Sequence, residues 1–159
     1  MCRGVLACPR QAEYTRGIVI NQSLIMYEVT LLPIVFAAIA QMVIGMVWYH
    51  PKVFGAAWMR MANITPEMVE SGKKTMAVRF IVAFLAAMLA AYVLFHFGIA
   101  WGVYDWAGAI ELGVWIWLGF VAPVMLHTVL WEQKPLSLFA LNAAYWFVGL
   151  VVMSVILVL

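Results

Sequence analysis

Residues 80–101 read FIVAFLAAMLAAYVLFHFGIAW, a run of 22 residues without one Asp, Glu, Lys or Arg. A helix rises 1.5 Å per residue, so about 20 residues cross the roughly 30 Å of bilayer hydrocarbon. This run is long enough to span. Three more long apolar runs surround it, at 29–49, 107–130 and 136–159, with Glu111 the one charged residue among them. None alternates as a barrel strand would, and lipid cannot satisfy open strand edges, so each is predicted to be a helix. The expected fold class is all-α integral membrane. It is an antiparallel four-transmembrane-helix bundle with a short interfacial helix in the first cytoplasmic connection.

Composition excludes the soluble alternatives. The 159 residues are 67% hydrophobic and 10% charged, with a mean hydropathy of +1.03. Soluble domains average about 45–50% apolar and about 25% charged. The polar skin that a water-soluble fold needs is missing. The net charge of +2 is small and scattered, which argues against a nucleic-acid partner. Cys2 and Cys8 both lie in the first eight residues, so no disulfide framework or cysteine metal site can run through the body of the chain.

Lysine and arginine set the expected orientation. Lys52, Arg60, Lys73, Lys74 and Arg79 fall in the first connection and Lys134 in the third, while the second carries Asp105 and no positive residue. The first and third connections are therefore expected on the cytoplasmic side, with both termini outside. Arg3, Arg10 and Arg16 conflict with that, and the segment holding them lacks the apolar core of a signal peptide. Residues 1–25 are read as a disordered or mis-assigned extension and 26–159 as the membrane domain, with Met26 as the natural start.

Two features give the first connection structure. Phe54, Trp58 and Met61 recur at helical spacing with Lys52 and Arg60 among them, as a short helix lying at the headgroups would. Next, Thr65 is placed to cap a helix with Pro66 at its first position, Glu67 in its first turn and Lys73 and Lys74 at its end. In the second span, Ala83, Ala87 and Ala91 form a stripe that leads to Gly98 and Gly102. Small residues at this spacing let helices approach closely, within the chain or in a homo-oligomer.

Polar residues inside spans are costly and turn toward the bundle or a cavity. Counted from the cytoplasmic ends, His127 lies roughly 5 Å deep, Asn142 roughly 9 Å, Gln41 roughly 12 Å and Tyr145 roughly 14 Å. With Trp48 they form a candidate pocket open to the cytoplasm. The competing reading is a set of interhelical hydrogen bonds that locks the bundle. His50 and His127 have no third ligand at helical spacing, so no metal or other cofactor is expected. Glu111 and Glu132 lie on opposite sides, and no nucleophile has a base beside it; enzyme chemistry finds no support. Glu28, Asp105 and Glu111 near the outer surface either draw cations or snorkel to water.

GMVWYHPKVFGAAWM at 45–59, WLGFVAP at 117–123 and KPLSLFALNAAYWFV at 134–148 occur in this order. Together they resemble the bacterial domain of unknown function 1761 family. By that likeness Gly45, Trp48, Tyr49, Pro51, Phe54, Gly55, Trp58, Asn142 and Tyr145 are motif positions. The resemblance implies a small multi-pass protein of the bacterial inner membrane with no assigned activity. Two functions are expected to compete: small-molecule or ion binding of a transport-like kind, its ligand unknown, and an accessory subunit acting through helix contacts. Beyond the lipid bilayer and a second copy of the chain, no partner is implied.

Overall fold

Apolar residues fill 31–48 without a charge, and Pro33 falls in the first turn, where its missing N–H costs no helical hydrogen bond; the result is helix α1, Leu31–Trp48. The computed structural model describes residues 31–159. The expectations about 1–25, the start at Met26, Cys2, Cys8 and Glu28 lie outside the described residues.

Pro51 ends α1 by forcing His50 into extended backbone, φ −65° and ψ 137°. A single π-helical turn follows, Pro51–Gly55, closed by the Gly55 N–H on the His50 carbonyl at 3.0 Å. It runs into α2, Ala56–Met61. Phe54 therefore sits in the π turn and not on the α-helical face expected to carry it with Trp58 and Met61. The Thr65 hydroxyl accepts the Met68 N–H at 3.4 Å and caps α3, Pro66–Lys73. Hydrogen bonds from the Thr65 side chain and from its own backbone hold the Glu67 carboxyl below its ordinary pKa.

Helix α4, Met76–Trp101, begins four residues before the predicted apolar run and so takes Arg79 into its first turn. It stops at Gly102, whose φ of 66° is left-handed. The Val103 N–H bonds back to the Gly98 carbonyl at 2.9 Å and the Gly102 N–H to that of Ile99 at 3.1 Å, a Schellman closure. Gly102, expected as a packing residue, is thus a helix cap. Asp105 accepts the Gly108 N–H at 3.1 Å and starts α5, Trp106–Ile116.

The third predicted span is not one uninterrupted α-helix. Pro123 has no N–H for the carbonyl four residues back, and just before it the chain widens into a π turn, Trp117–Val121, in which the Ala122 N–H reaches the Trp117 carbonyl. Helix α6, Ala122–Leu130, follows, and after Pro135 comes α7, Leu136–Val158. Each residue of an α-helix advances about 100°, so the extra residue of the π turn rotates α6 by about that much from where an unbroken helix would aim it.

Four helices, α1, α4, the α5–α6 pair and α7, are long and apolar enough to cross a membrane. No strand occurs among the described residues. Helix α7 lies between α1 and α5, and α4 packs on α1. Tyr49 meets Asn142, Gly45 meets Tyr145 and Gln41 meets Gly149, so α1 and α7 run antiparallel. Ile34 and Ala37 of α1, Ala91 and Leu94 of α4, and Leu150 and Met153 of α7 close the core between them. Of the alanine stripe, Ala87 and Ala91 are buried in this core and Gly98 packs against Leu112, whereas Ala83 is exposed. The outward faces are apolar as well: Phe120 is 65% exposed and Val124 70%.

Candidate functional site

Two segments far apart in sequence, 45–58 and 142–149, build one cluster where α1 leaves for the first connection. Gly45 makes room for it, since a Cβ there would lie 3.1 Å from the Tyr145 hydroxyl oxygen. The Tyr49 hydroxyl donates to Asn142 Oδ1 at 2.9 Å. The Tyr49 ring stands edge-on to Tyr145 at 5.2 Å and to Trp58 at 5.4 Å between centroids. Trp48 leans on Phe54 at 4.9 Å and on Tyr145 at 6.4 Å. Such pairs contribute about 0.5–1.5 kcal/mol each beyond burial. They bind the π turn and α2 to the start of α7.

One turn further in, Gln41 is 2% exposed, and its side chain presses on Gly149, where any Cβ would collide with it. Among the described residues, neither polar atom of its amide has a hydrogen-bond partner, nor do Trp48 Nε1 and Ser154 Oγ. Leaving a buried polar group unpaired costs about 1–3 kcal/mol.

Beside the cluster, between the end of α1 and the start of α4, opens a cleft of about 580 Å³. Tyr49, Tyr145 and Trp58 form its aromatic wall, Met42, Met46, Phe80 and Ala83 its apolar walls, and His50 and Arg79 its polar rim. It shares only Tyr145 with the expected pocket. Trp48 lies against that tyrosine, Asn142 against Tyr49 and Gln41 against Gly149, and none of the three lines the cleft. His127 is elsewhere: exposed, with its ring 6.3 Å from Trp131. Depth along a helix had put it near the others, but depth says nothing of facing, and the π turn before Pro123 re-aims α6. Among the described residues, no three His, Cys, Asp or Glu side chains gather in a way that could hold a metal ion. Glu111 accepts the Trp115 indole N–H at 3.1 Å, both exposed.

Arg79, Met42, Met46 and Phe80 were not singled out from the sequence. The signal was present in Met42, Met46 and His50, spaced four apart on one face of α1 and its exit. It was obscured by counting Arg79 as part of the connection.

Comparison with protein families finds the model described as "Protein of unknown function (DUF1761)" matching residues 32–158. No curated protein and no solved structure matches the chain.

Proposed function

We propose, for a chain that belongs to the family of unknown function DUF1761, that it is a four-span membrane protein binding one small molecule in the cleft between α1 and α4. The observation that carries this is the cleft itself. Its volume of about 580 Å³ lies within the roughly 300–1,000 Å³ usual for small-molecule sites, and it combines apolar walls with a few polar groups at one end. The wall is held by the Tyr49–Asn142 bond and the aromatic contacts, so it is preformed.

A bilayer setting is supported by the apolar outer faces and by exposed aromatics at both ends. Trp101, Tyr104 and Trp106 surround the α4–α5 turn, and Trp131 follows α6 at the other end, as interfacial belts do. The charge bias of the connections supports a cleft mouth on the cytoplasmic side, and the membrane we propose is the bacterial inner membrane. Single cysteines introduced at Ser71 and Tyr104, with Cys2 and Cys8 replaced by serine, test that: a membrane-impermeant maleimide added outside intact cells is expected to label position 104 and not 71. The reverse labelling would overturn the orientation.

The accessory-subunit reading has less behind it, because Ala87, Ala91 and Gly98 are already used within the chain. Ala83, exposed on the cleft wall, offers the direct test of binding. Native mass spectrometry of the wild type released from membranes is expected to show a small-molecule adduct. Ala83→Trp, which fills the cleft from an exposed position, is expected to lose the adduct while its thermal midpoint changes by no more than a few degrees, as for surface substitutions of about 0.5 kcal/mol. Retention of the adduct in that variant would sink the proposal.

A further inference from the structure

We infer that the cleft takes a single-chain anionic amphiphile, its headgroup at Arg79 and its chain running inward between α1 and α4. This rests on the binding reading above and names the ligand class. The first reason is the polarity along the cleft. On α1 and its exit, His50, Met46 and Met42 follow one another a turn apart, and on α4 Arg79 and Ala83 do the same in the opposite direction. Both walls change from polar to apolar over one to two turns, about 5–10 Å. An amphiphile standing in the cleft would share the polarity of the surrounding lipid, head toward the connection and tail toward the midplane.

The sign of the headgroup follows from the donors. Among the described residues the ion pair is Lys73 with Glu70, and Arg79 has no carboxylate partner. His50 Nδ1 accepts the Lys52 N–H at 3.2 Å, which leaves Nε2 as the donor nitrogen on the rim. Thr75 turns its hydroxyl to the Gly72 carbonyl at 3.2 Å, so no side chain caps the first turn of α4, whose N–H groups add positive potential beside Met76. A guanidinium, an imidazole donor and an uncapped helix start match an anion such as a phosphate or carboxylate.

The number of chains follows from size. A volume of about 580 Å³ has room for one acyl chain with its headgroup, whereas a two-chain lipid would have to leave one chain outside among the bulk lipid. Arg79 is exposed in the first turn of α4, on the rim of the cleft and with its guanidinium beside Gly72 of α3, as an arginine near a span end reaches toward the headgroups.

The test uses the full chain reconstituted in phosphatidylcholine nanodiscs, with electron paramagnetic resonance of three nitroxide-labelled probes: hexadecyl phosphate, hexadecanol and two-chain phosphatidylglycerol. The immobilised fraction is expected to show the single-chain phosphate preferred about tenfold over the alcohol, as one charge-assisted hydrogen bond would give. Arg79→Gln is expected to reduce it to the alcohol's level and Arg79→Lys to keep most of the preference. Ala83→Trp should remove the immobilised component of the phosphate.

Equal immobilisation of phosphate and alcohol, both removed by Ala83→Trp, would overturn the anionic assignment while leaving the cleft as a binding site. Phosphatidylglycerol held as strongly as hexadecyl phosphate would overturn the single-chain assignment. If no probe shows an immobilised component sensitive to Ala83→Trp, the binding reading itself falls.

Discussion

Gly113→Leu is expected to destabilise the protein by about 3 kcal/mol, at the upper end of what overpacking costs, and Gly113→Ala by about half of that. A Cβ at Gly113 would lie 2.9 Å from the Val151 Cα and 3.1 Å from its backbone nitrogen, so it meets a helix backbone and not a side chain that can swing away. Relief requires α5 and α7 to separate. One turn later Trp117 donates its indole N–H to the Ala143 carbonyl at 2.8 Å and packs edge-on against Phe147 at 5.2 Å. Separation strains both contacts. For helices in a bilayer, close packing supplies much of the association that the hydrophobic effect supplies in water. Gly119 is the internal control, because a Cβ there meets nothing within 4 Å. Unfolding in mixed micelles titrated with sodium dodecyl sulfate is expected to rank Gly119→Leu near wild type and Gly113→Leu far below it. Equal stability of these two variants would show that the α5–α7 approach does not limit the fold.

The four long apolar helices were legible because a run such as 80–101 has one physical solution in hydrocarbon, and the caps at Thr65 and Asp105 announce themselves in single residues. The Ala87, Ala91 and Gly98 stripe was legible for the same reason: small side chains at helical spacing have few other uses. The π turns were not. At 51–55 and 117–121 a glycine lies close to a proline, a combination that announces an interrupted helix but not the wider turn that interrupts it. Depth counting put Gln41, Asn142 and Tyr145 at similar levels; in the structure Asn142 meets Tyr49 and Tyr145 meets Gly45, while Gln41 lies at Gly149, about two turns along α7 from Asn142. It could not find which way His127 faces after an inserted residue. Nor could it find that Gln41 turns toward Gly149 and away from the cleft, since that depends on the register between two helices a hundred residues apart in sequence.

Gly55 shows how a residue's intrinsic preference and its surroundings can be set against each other in one measurement. Its φ of −61° and ψ of −38° are helical, so any residue could adopt them. On propensity alone Gly55→Ala should stabilise by up to about 1 kcal/mol. The π turn decides otherwise: an added Cβ would collide with the Tyr49 carbonyl and lie 2.9 Å from the His50 carbonyl carbon. To admit it, the Tyr49–Pro51 segment must shift, and Tyr49 is the residue that bonds Asn142 and stands edge-on to both Trp58 and Tyr145. Gly55→Ala is therefore expected to destabilise by about 2–3 kcal/mol, the sum of an overpacked backbone contact and a strained hydrogen bond. The same micelle titration reads the stability, and the adduct in native mass spectrometry reads the cleft, which should be weakened because one of its walls has moved. Pairing with Tyr49→Phe locates the effect. If the damage travels through Tyr49, the double variant should lose less than the sum of the two single ones, since contacting residues couple by about 0.5–3 kcal/mol. A stabilised Gly55→Ala would mean that the turn opens without resistance, and the aromatic cluster would then owe its position to α7 alone.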